Sequence, residues 1–224
     1  KLGTECQRLQ SFALAYSQRG KFDQAGLLGV RCAEACGAVK SFSEQAKALK
    51  SAGECFLAAG DYKNSALWLE SARDLSAEQG IVSMECDMCT KLGHAFFQAG
   101  RFIEGVEQHR RACRVAQSVG EKRAPFRFLV NALCSTGENL EEAETLFLRL
   151  REGRGNTADC QLWDHYLRGS LHMRSDKYDD ASLSFRAAVD VAAKHPEVLQ
   201  DPNAAYALGS AKACLENCGV GAGG

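Results

Sequence analysis

Two cysteines separated by two residues form the pattern in this sequence that comes closest to a chemical site. The segment Cys86-Asp87-Met88-Cys89 has the spacing of half a zinc site or of a redox pair. A zinc ion needs two further ligands, and the sequence has no second such pair and no nearby pair of histidines. A thioredoxin-like pair needs a strand-to-helix setting, which is also missing. We therefore predict that both cysteines are structural residues within a helix.

The other candidate groups give no stronger chemical signal. Cys32 and Cys36, and likewise Cys214 and Cys218, are spaced as neighbours on one helix face, so the same structural interpretation applies. None of the five histidines stands in a recognisable nucleophile motif. The acidic run at 141–144 suits the first turn of a helix, where carboxylates are favoured. We predict no catalytic residue, no metal site and no cofactor.

Composition favours a helical protein that binds neither nucleic acid nor the interior of a membrane. Lys and Arg number 27 against 28 Asp and Glu, without the basic excess that a phosphate backbone attracts. No segment approaches the roughly 20 apolar residues that a membrane helix needs. Only 3 prolines occur. An odd count of 11 cysteines without a recognisable secretory signal favours free thiols, so we expect a cytoplasmic protein.

An internal repeat organises the chain. Three turns consist of Gly, a polar residue and an aromatic residue, at a spacing of 40 residues: Gly20-Lys21-Phe22, Gly60-Asp61-Tyr62 and Gly100-Arg101-Phe102. Two weaker copies follow at a spacing of 38 residues: Glu138-Asn139-Leu140 and Asp176-Lys177-Tyr178. Glycine after a helix adopts the left-handed conformation that ends it. Each turn is therefore predicted to join two helices of a hairpin.

A second periodic signal lies in the helix before each turn. Gly53, Gly93, Gly169 and Gly209 recur there, and glycine within a helix indicates a close helix crossing because it otherwise costs stability. Together the two signals predict five hairpins and a last helix. The predicted helices span 4–19, 22–37, 43–59, 62–79, 82–99, 102–118, 123–136, 139–152, 160–175, 178–194 and 203–217.

These patterns resemble the tetratricopeptide-repeat superfamily. Leu92-Gly93-x-x-Phe96 is similar to its Leu-Gly-x-x-aromatic core, and Ala181-x-x-x-Phe185-x-x-Ala188 to its second helix. The period near 40 is similar to that of longer-helix members such as the soluble NSF attachment proteins. The resemblance implies an all-α fold, a right-handed α-solenoid of about five hairpins with a C-terminal capping helix. We expect one domain over 1–218 and a flexible Gly-rich tail over 219–224.

A narrower resemblance concerns the first part of the chain. Lys1-Leu2-Gly3-Thr4-Glu5, Val30-Arg31-Cys32-Ala33-Glu34-Ala35 and Glu44-Gln45-Ala46-Lys47-Ala48-Leu49 are similar in order to segments of the huntingtin-associated tetratricopeptide proteins. This resemblance implies a small obligate subunit that clamps a large helical-repeat protein such as huntingtin.

The first helix of each hairpin is expected to line a concave groove. Gln7, Gln10 and Leu14 begin this face, which changes from polar to aromatic along the chain. Exposed aromatic residues on a groove favour a buried partner helix or peptide, whereas a neighbouring helix of the same chain would cover them equally well. The candidate partner-binding residues on this face are Lys50, Leu57, His94, Phe97, Phe128, Trp163 and Tyr166.

A basic cluster on the sixth predicted helix gives a second candidate surface. Arg110, Arg111 and Arg114 could face an acidic partner or an anionic membrane surface, or simply form a solvated helix face. The predicted function is a non-enzymatic protein-interaction scaffold that binds a peptide, a helix or a large helical-repeat subunit. The alternatives are that obligate subunit and a membrane-trafficking adaptor like the soluble NSF attachment proteins, with only peripheral membrane contact.

Overall fold

The computed structural model describes residues 2–118, 123–152, 155 and 157–221. These residues form eleven α-helices and one short 3₁₀ helix, and no strand occurs among them. The fold is thus all-α, a solenoid-like repeat of consecutive helices. The helices are α1 (Leu2–Gln18), α2 (Phe22–Ala38), α3 (Phe42–Ala59), α4 (Tyr62–Glu78), α5 (Val82–Gln98), α6 (Phe102–Ser118), α7 (Arg123–Thr136), α8 (Leu140–Arg151), α9 (Ala158–Arg174), α10 (Tyr178–Lys194) and α11 (Pro202–Gly221).

The chain divides into two compact units, unit 1 (Lys1–Pro125) and unit 2 (Phe126–Gly224). In unit 1, α2 packs against both α1 and α3, α4 against α3 and α5, and α6 against α5. In unit 2, α9 packs against α8 and α10, and α11 lies against α9 and α10. The last helix therefore covers the final hairpin, as expected of a capping helix.

One turn geometry recurs every 20 residues through unit 1. Its central residue has a positive φ, and the following amide donates to the carbonyl five residues earlier, for instance Asp61 N to Phe56 O at 2.9 Å. This bond closes a Schellman motif, which satisfies carbonyls at the helix end. The motif occurs both between the two helices of one hairpin and between one hairpin and the next. The positive φ angles belong to Gly20, Lys40, Gly60, Gly80 and Gly100.

The glycines predicted at helix crossings do lie at close approaches, with one exception. A Cβ added at Gly53 would lie 2.6 Å from Leu69, and one added at Gly169 would lie 2.5 Å from Phe185. A Cβ at Gly93 would likewise lie 2.5 Å from the ring of His109. A Cβ at Gly209 meets nothing within 4 Å, so the prediction was wrong there.

Each unit has its own buried core. In unit 1, Leu69 of α4 and Met88 and Leu92 of α5 are fully enclosed and extend a continuous apolar cluster from α2 to α5. In unit 2, Trp163 and Phe185 are the largest fully buried side chains. Both cores draw mainly on inward positions three and four residues apart, the spacing of one helix face.

Every predicted helix is confirmed, with ends shifted by four residues at most. Between α10 and α11, where no helix was predicted, lies the 3₁₀ helix Pro196–Gln200. The last helix continues to Gly221, so the first three residues of the predicted flexible tail are helical, and 222–224 lie outside the described residues. No described helix is both long enough and apolar enough to span a bilayer.

Candidate functional site

A cleft of about 450 Å³ lies between α1 and α3 in unit 1. The first helices of two successive hairpins form its walls, and α2, packed against both, contributes its floor. Small residues such as Ala13, Gly29 and Ala48 keep the cleft open. Its lining residues are Gln10, Ala13, Leu14, Ser17, Phe22, Gly29, Cys32, Glu44, Lys47, Ala48, Ser51, Glu54, Cys55 and Ala58.

Leu14 is the exposed apolar side chain of this cleft. It is 61% exposed, although it lies on a helix whose inner face packs against α2. Around it the wall groups are small, polar or charged in both senses, and Lys47 pairs with Glu44 of the same helix at 2.7 Å. The cleft therefore combines an apolar contact with a nearly neutral rim.

Farther along the first-helix face of unit 1, charged side chains bridge α3 and α5. Lys50 donates to Asp87 at 2.5 Å, and Lys91 donates to Glu54 at 2.8 Å. Burial lowers the pKa of Lys91, but the hydrogen bond and charge of Glu54, with the charge of Asp87, give a net rise. Lys50 is thus held in an ion-pair network, and its role in partner binding stays a prediction.

His94 and Phe97 are partly buried against α6. The His94 ring lies 5.3 Å from the ring of His109, and Phe97 packs edge-on against Phe102 at 5.5 Å. Burial lowers the pKa of His94 to about 4 and that of His109 well below its usual value, so both rings are neutral at pH 7. Leu57, the other candidate of this face in unit 1, is also partly buried.

The aromatic candidates of this face in unit 2 lie in the core of the unit. Phe128, Trp163 and Tyr166 are 5%, 2% and 4% exposed. Trp163 makes edge-to-face contacts with the other two rings, with centroids 5.7 Å and 5.8 Å away. The Tyr166 hydroxyl donates to Asn131 at 2.7 Å. Of the two alternatives left open by the sequence, coverage by neighbouring side chains of the same chain therefore holds for these three residues.

The basic cluster is largely neutralised by acidic neighbours. Arg111 donates to Glu85 of α5 at 2.8 Å, and Arg114 pairs with Glu107 at 2.7 Å. Arg110 is partly buried on the same helix. Compensated charges create little long-range field, so a purely electrostatic surface finds no support in this geometry.

The Cys86-Asp87-Met88-Cys89 pair lies inside α5, as predicted. Both thiols are buried, and Cys86 donates to the carbonyl of Ala112 at 3.5 Å. Burial raises the pKa of Cys89 to about 12, which keeps the thiol protonated and poorly nucleophilic. The motif is therefore part of the packing between α5 and α6.

The sequence interpretation missed the floor of the cleft and the contact of Cys6 with α2. Cys6 precedes Ala13 by seven residues, which places both on one face of α1. Extending the repeat register back along α1 to Cys6 would have predicted that this side chain faces Cys32 and Cys36. The floor residue Gly29 could have been found from its small size opposite Ala52, where an added Cβ would approach to 3.0 Å.

Comparison with known proteins identifies the fold and not the family. No protein-family profile and no curated protein match the chain. Among solved structures, it is similar to the crystal structure of BtubC (BKLC) from P. vanneervenii, with a TM-score of 0.69 and 15% sequence identity. The match covers 87% of this chain and 82% of that chain. At this identity the similarity shows a shared all-helical repeat fold alone.

Proposed function

We propose that this protein is a non-enzymatic interaction scaffold of tetratricopeptide type, which holds a segment of a partner protein in the cleft between α1 and α3. The observation that carries the proposal is Leu14, an exposed apolar side chain in a cleft whose floor includes Phe22, Gly29 and Cys32. Exposed apolar groups that line a concave surface are typical of recognition sites. An all-helical repeat fold is also typical of scaffolds that bind through grooves between repeats.

The lining of the cleft defines the chemistry of the segment it would take. A volume of about 450 Å³ accommodates a few side chains, and Leu14 with Ala13 and Ala48 offers them an apolar contact. The charged groups on the rim are paired, Glu44 with Lys47 and Glu54 with Lys91. The partner segment therefore anchors through one or two apolar side chains and needs no strong net charge.

The structure favours neither of the narrower roles predicted from the sequence. A trafficking adaptor on an anionic surface would need unpaired basic groups, whereas Arg111 and Arg114 are paired with Glu85 and Glu107. The role of a subunit that clamps a huntingtin-like protein, and the cytoplasmic location, stay predictions.

Peptide display on the purified full-length chain tests the proposal without a known partner. Peptides selected on the wild-type protein are expected to carry an apolar anchor and to bind Leu14→Asp at least about tenfold more weakly, because the new carboxylate would be desolvated on binding. Leu183→Asp is the matched control, since Leu183 is equally exposed (63%) but lies in α10 of unit 2. Calorimetric affinities of the same peptides provide the measurement.

Two outcomes of this experiment would contradict the proposed cleft. If selected peptides bind Leu14→Asp as tightly as wild type, the cleft is not the recognition surface. If they respond to Leu183→Asp instead, recognition belongs to unit 2.

A further inference from the structure

Three cysteines converge where α1 packs against α2. Cys6 comes from α1, and Cys32 and Cys36 come from successive turns of α2. Their sulfur atoms all lie within 4.8 Å of one another, and Cys36 Sγ is 3.6 Å from Cys6 Sγ. We propose that these three thiols form a binding site for one copper(I) ion, independent of the partner-binding function proposed above.

The spacing of the sulfurs suits a three-coordinate ion. A metal–sulfur bond of about 2.3 Å places three sulfurs in a plane around the ion about 4 Å apart. The Cys6–Cys36 separation of 3.6 Å is slightly below this value and the other two are at most 4.8 Å, so small side-chain rotations would complete the site. Because two ligands lie on consecutive turns of one helix and the third on its packed neighbour, the backbone already holds them in position.

The number and type of ligands favour copper(I) over zinc(II). Structural zinc is almost always four-coordinate. Within the described part of the chain, no histidine, carboxylate or further cysteine joins this group of three. Copper(I) is a soft ion that selects thiolate ligands, and three sulfurs satisfy its coordination.

Burial controls the protonation of the two α2 thiols, Cys32 and Cys36. It raises the pKa of Cys32, and it raises the pKa of Cys36 to about 12, so both thiols are protonated at neutral pH. Copper binding must then release thiol protons to solvent, which makes the affinity rise with pH. The Gln10 side chain hydrogen-bonds Cys32 and stabilises its thiolate.

The site also has an entry path. Cys32 lines the cleft between α1 and α3, and Cys6 is only partly buried. The cluster therefore lies next to the cleft, and Cys6 is its most accessible ligand.

Anaerobic titration of the reduced full chain with copper(I) against a competing chelator tests the site. We expect one tightly bound ion in the wild-type protein and an affinity at least about tenfold lower in Cys6→Ala and Cys36→Ser. Cys55→Ser is the matched control, because Cys55 is partly buried and lines the same cleft outside the cluster. Copper X-ray absorption should show three sulfur neighbours and no nitrogen.

Cys6 is the decisive position, because its partial exposure allows the alanine variant to fold. Circular dichroism of each variant establishes that the helices are intact. Retention of the tight ion by Cys6→Ala, nitrogen ligands in the copper spectrum, or preferential retention of zinc in direct competition would overturn the proposal. A protein that forms a Cys6–Cys36 disulfide, and that binds no copper once this disulfide has been reduced, would overturn the proposal as well.

Discussion

The first helices of the repeats present the same face in both units, but the two units fill it with different chemistry. In unit 1 the face between α3 and α5 carries four alternating charges, among them Lys50 and Asp87, which are 31% and 40% exposed. In unit 2 the corresponding positions of α7 and α9 carry Phe128 and Trp163, which are almost fully buried. One backbone arrangement therefore supports a solvated ion-pair network in one unit and an aromatic core in the other.

The repeat therefore specifies backbone geometry more strictly than side-chain chemistry. Gly93 in unit 1 and Gly169 in unit 2 both receive a ring from the second helix of their hairpin. The ring is His109 in one case and Phe185 in the other, and both are enclosed. The close approach is common to the two units, whereas the face between successive first helices differs in both chemistry and burial.

Truncation of Trp163 should give the largest effect. Trp163→Ala removes a buried ring that contacts Phe128 and Tyr166 and leaves a cavity, so we expect a loss of about 3–5 kcal/mol in the free energy of unfolding. Urea denaturation followed by far-ultraviolet circular dichroism measures it. Leu183→Ala, at an exposed position of unit 2, should change the value by less than about 0.5 kcal/mol. A loss of the same small size in Trp163→Ala would contradict the assignment of these rings to the core.

Substitution of two glycines of unit 2 by alanine should change the free energy of unfolding in opposite directions. Gly169→Ala places a Cβ 2.5 Å from the Phe185 ring, and overpacking of this kind costs about 1–3 kcal/mol. Gly209→Ala meets open space in α11, so the better helix propensity of alanine should stabilise by up to about 1 kcal/mol. Thermal and urea unfolding of the two variants distinguish them. Shifts in the same direction would mean that the recurrence of glycine does not reflect helix crossing.

The sequence predicted the fold well because its turn signals are local. A left-handed residue followed by an amphipathic run determines where one helix ends and the next begins, whatever the rest of the chain does. Even the non-glycine turns at Lys40 and Asp176 keep this geometry, with φ of 56° and 57°. At the intervening turns of unit 1, Lys40 takes the place of glycine and Gly80 is followed by Ile81 instead of a polar residue, so the 20-residue period was not recognised in the sequence.

The candidate site was less predictable, because exposure depends on contacts between repeats. Trp163 and Lys50 occupy outward positions by register alone, and nothing in a single helix indicates that Trp163 will be covered and Lys50 paired with Asp87. Leu14 has the same kind of register but stays exposed. Register along one helix gives the direction of a side chain, while burial requires knowledge of what packs beside it.

The ion-pair network of unit 1 should give the smallest effect. Asp87→Asn removes the acceptor charge 2.5 Å from Lys50 and 3.8 Å from Lys91. Partly exposed pairs of this kind contribute about 0.2–1 kcal/mol each, and at 1 M salt the screening length falls to about 3 Å. We therefore expect a loss below about 1 kcal/mol in urea unfolding at low salt, reduced at high salt.

Glu107→Gln is the matched control for that loss, because Glu107 and its partner Arg114 are more exposed, at 53% and 61%. It should have almost no effect at either salt concentration. If Asp87→Asn instead lowered the free energy of unfolding as much as Trp163→Ala does, and equally at both salt concentrations, the ion-pair network would stabilise the fold as strongly as a buried core. The chemical difference between the faces of unit 1 and unit 2 would then have no energetic counterpart.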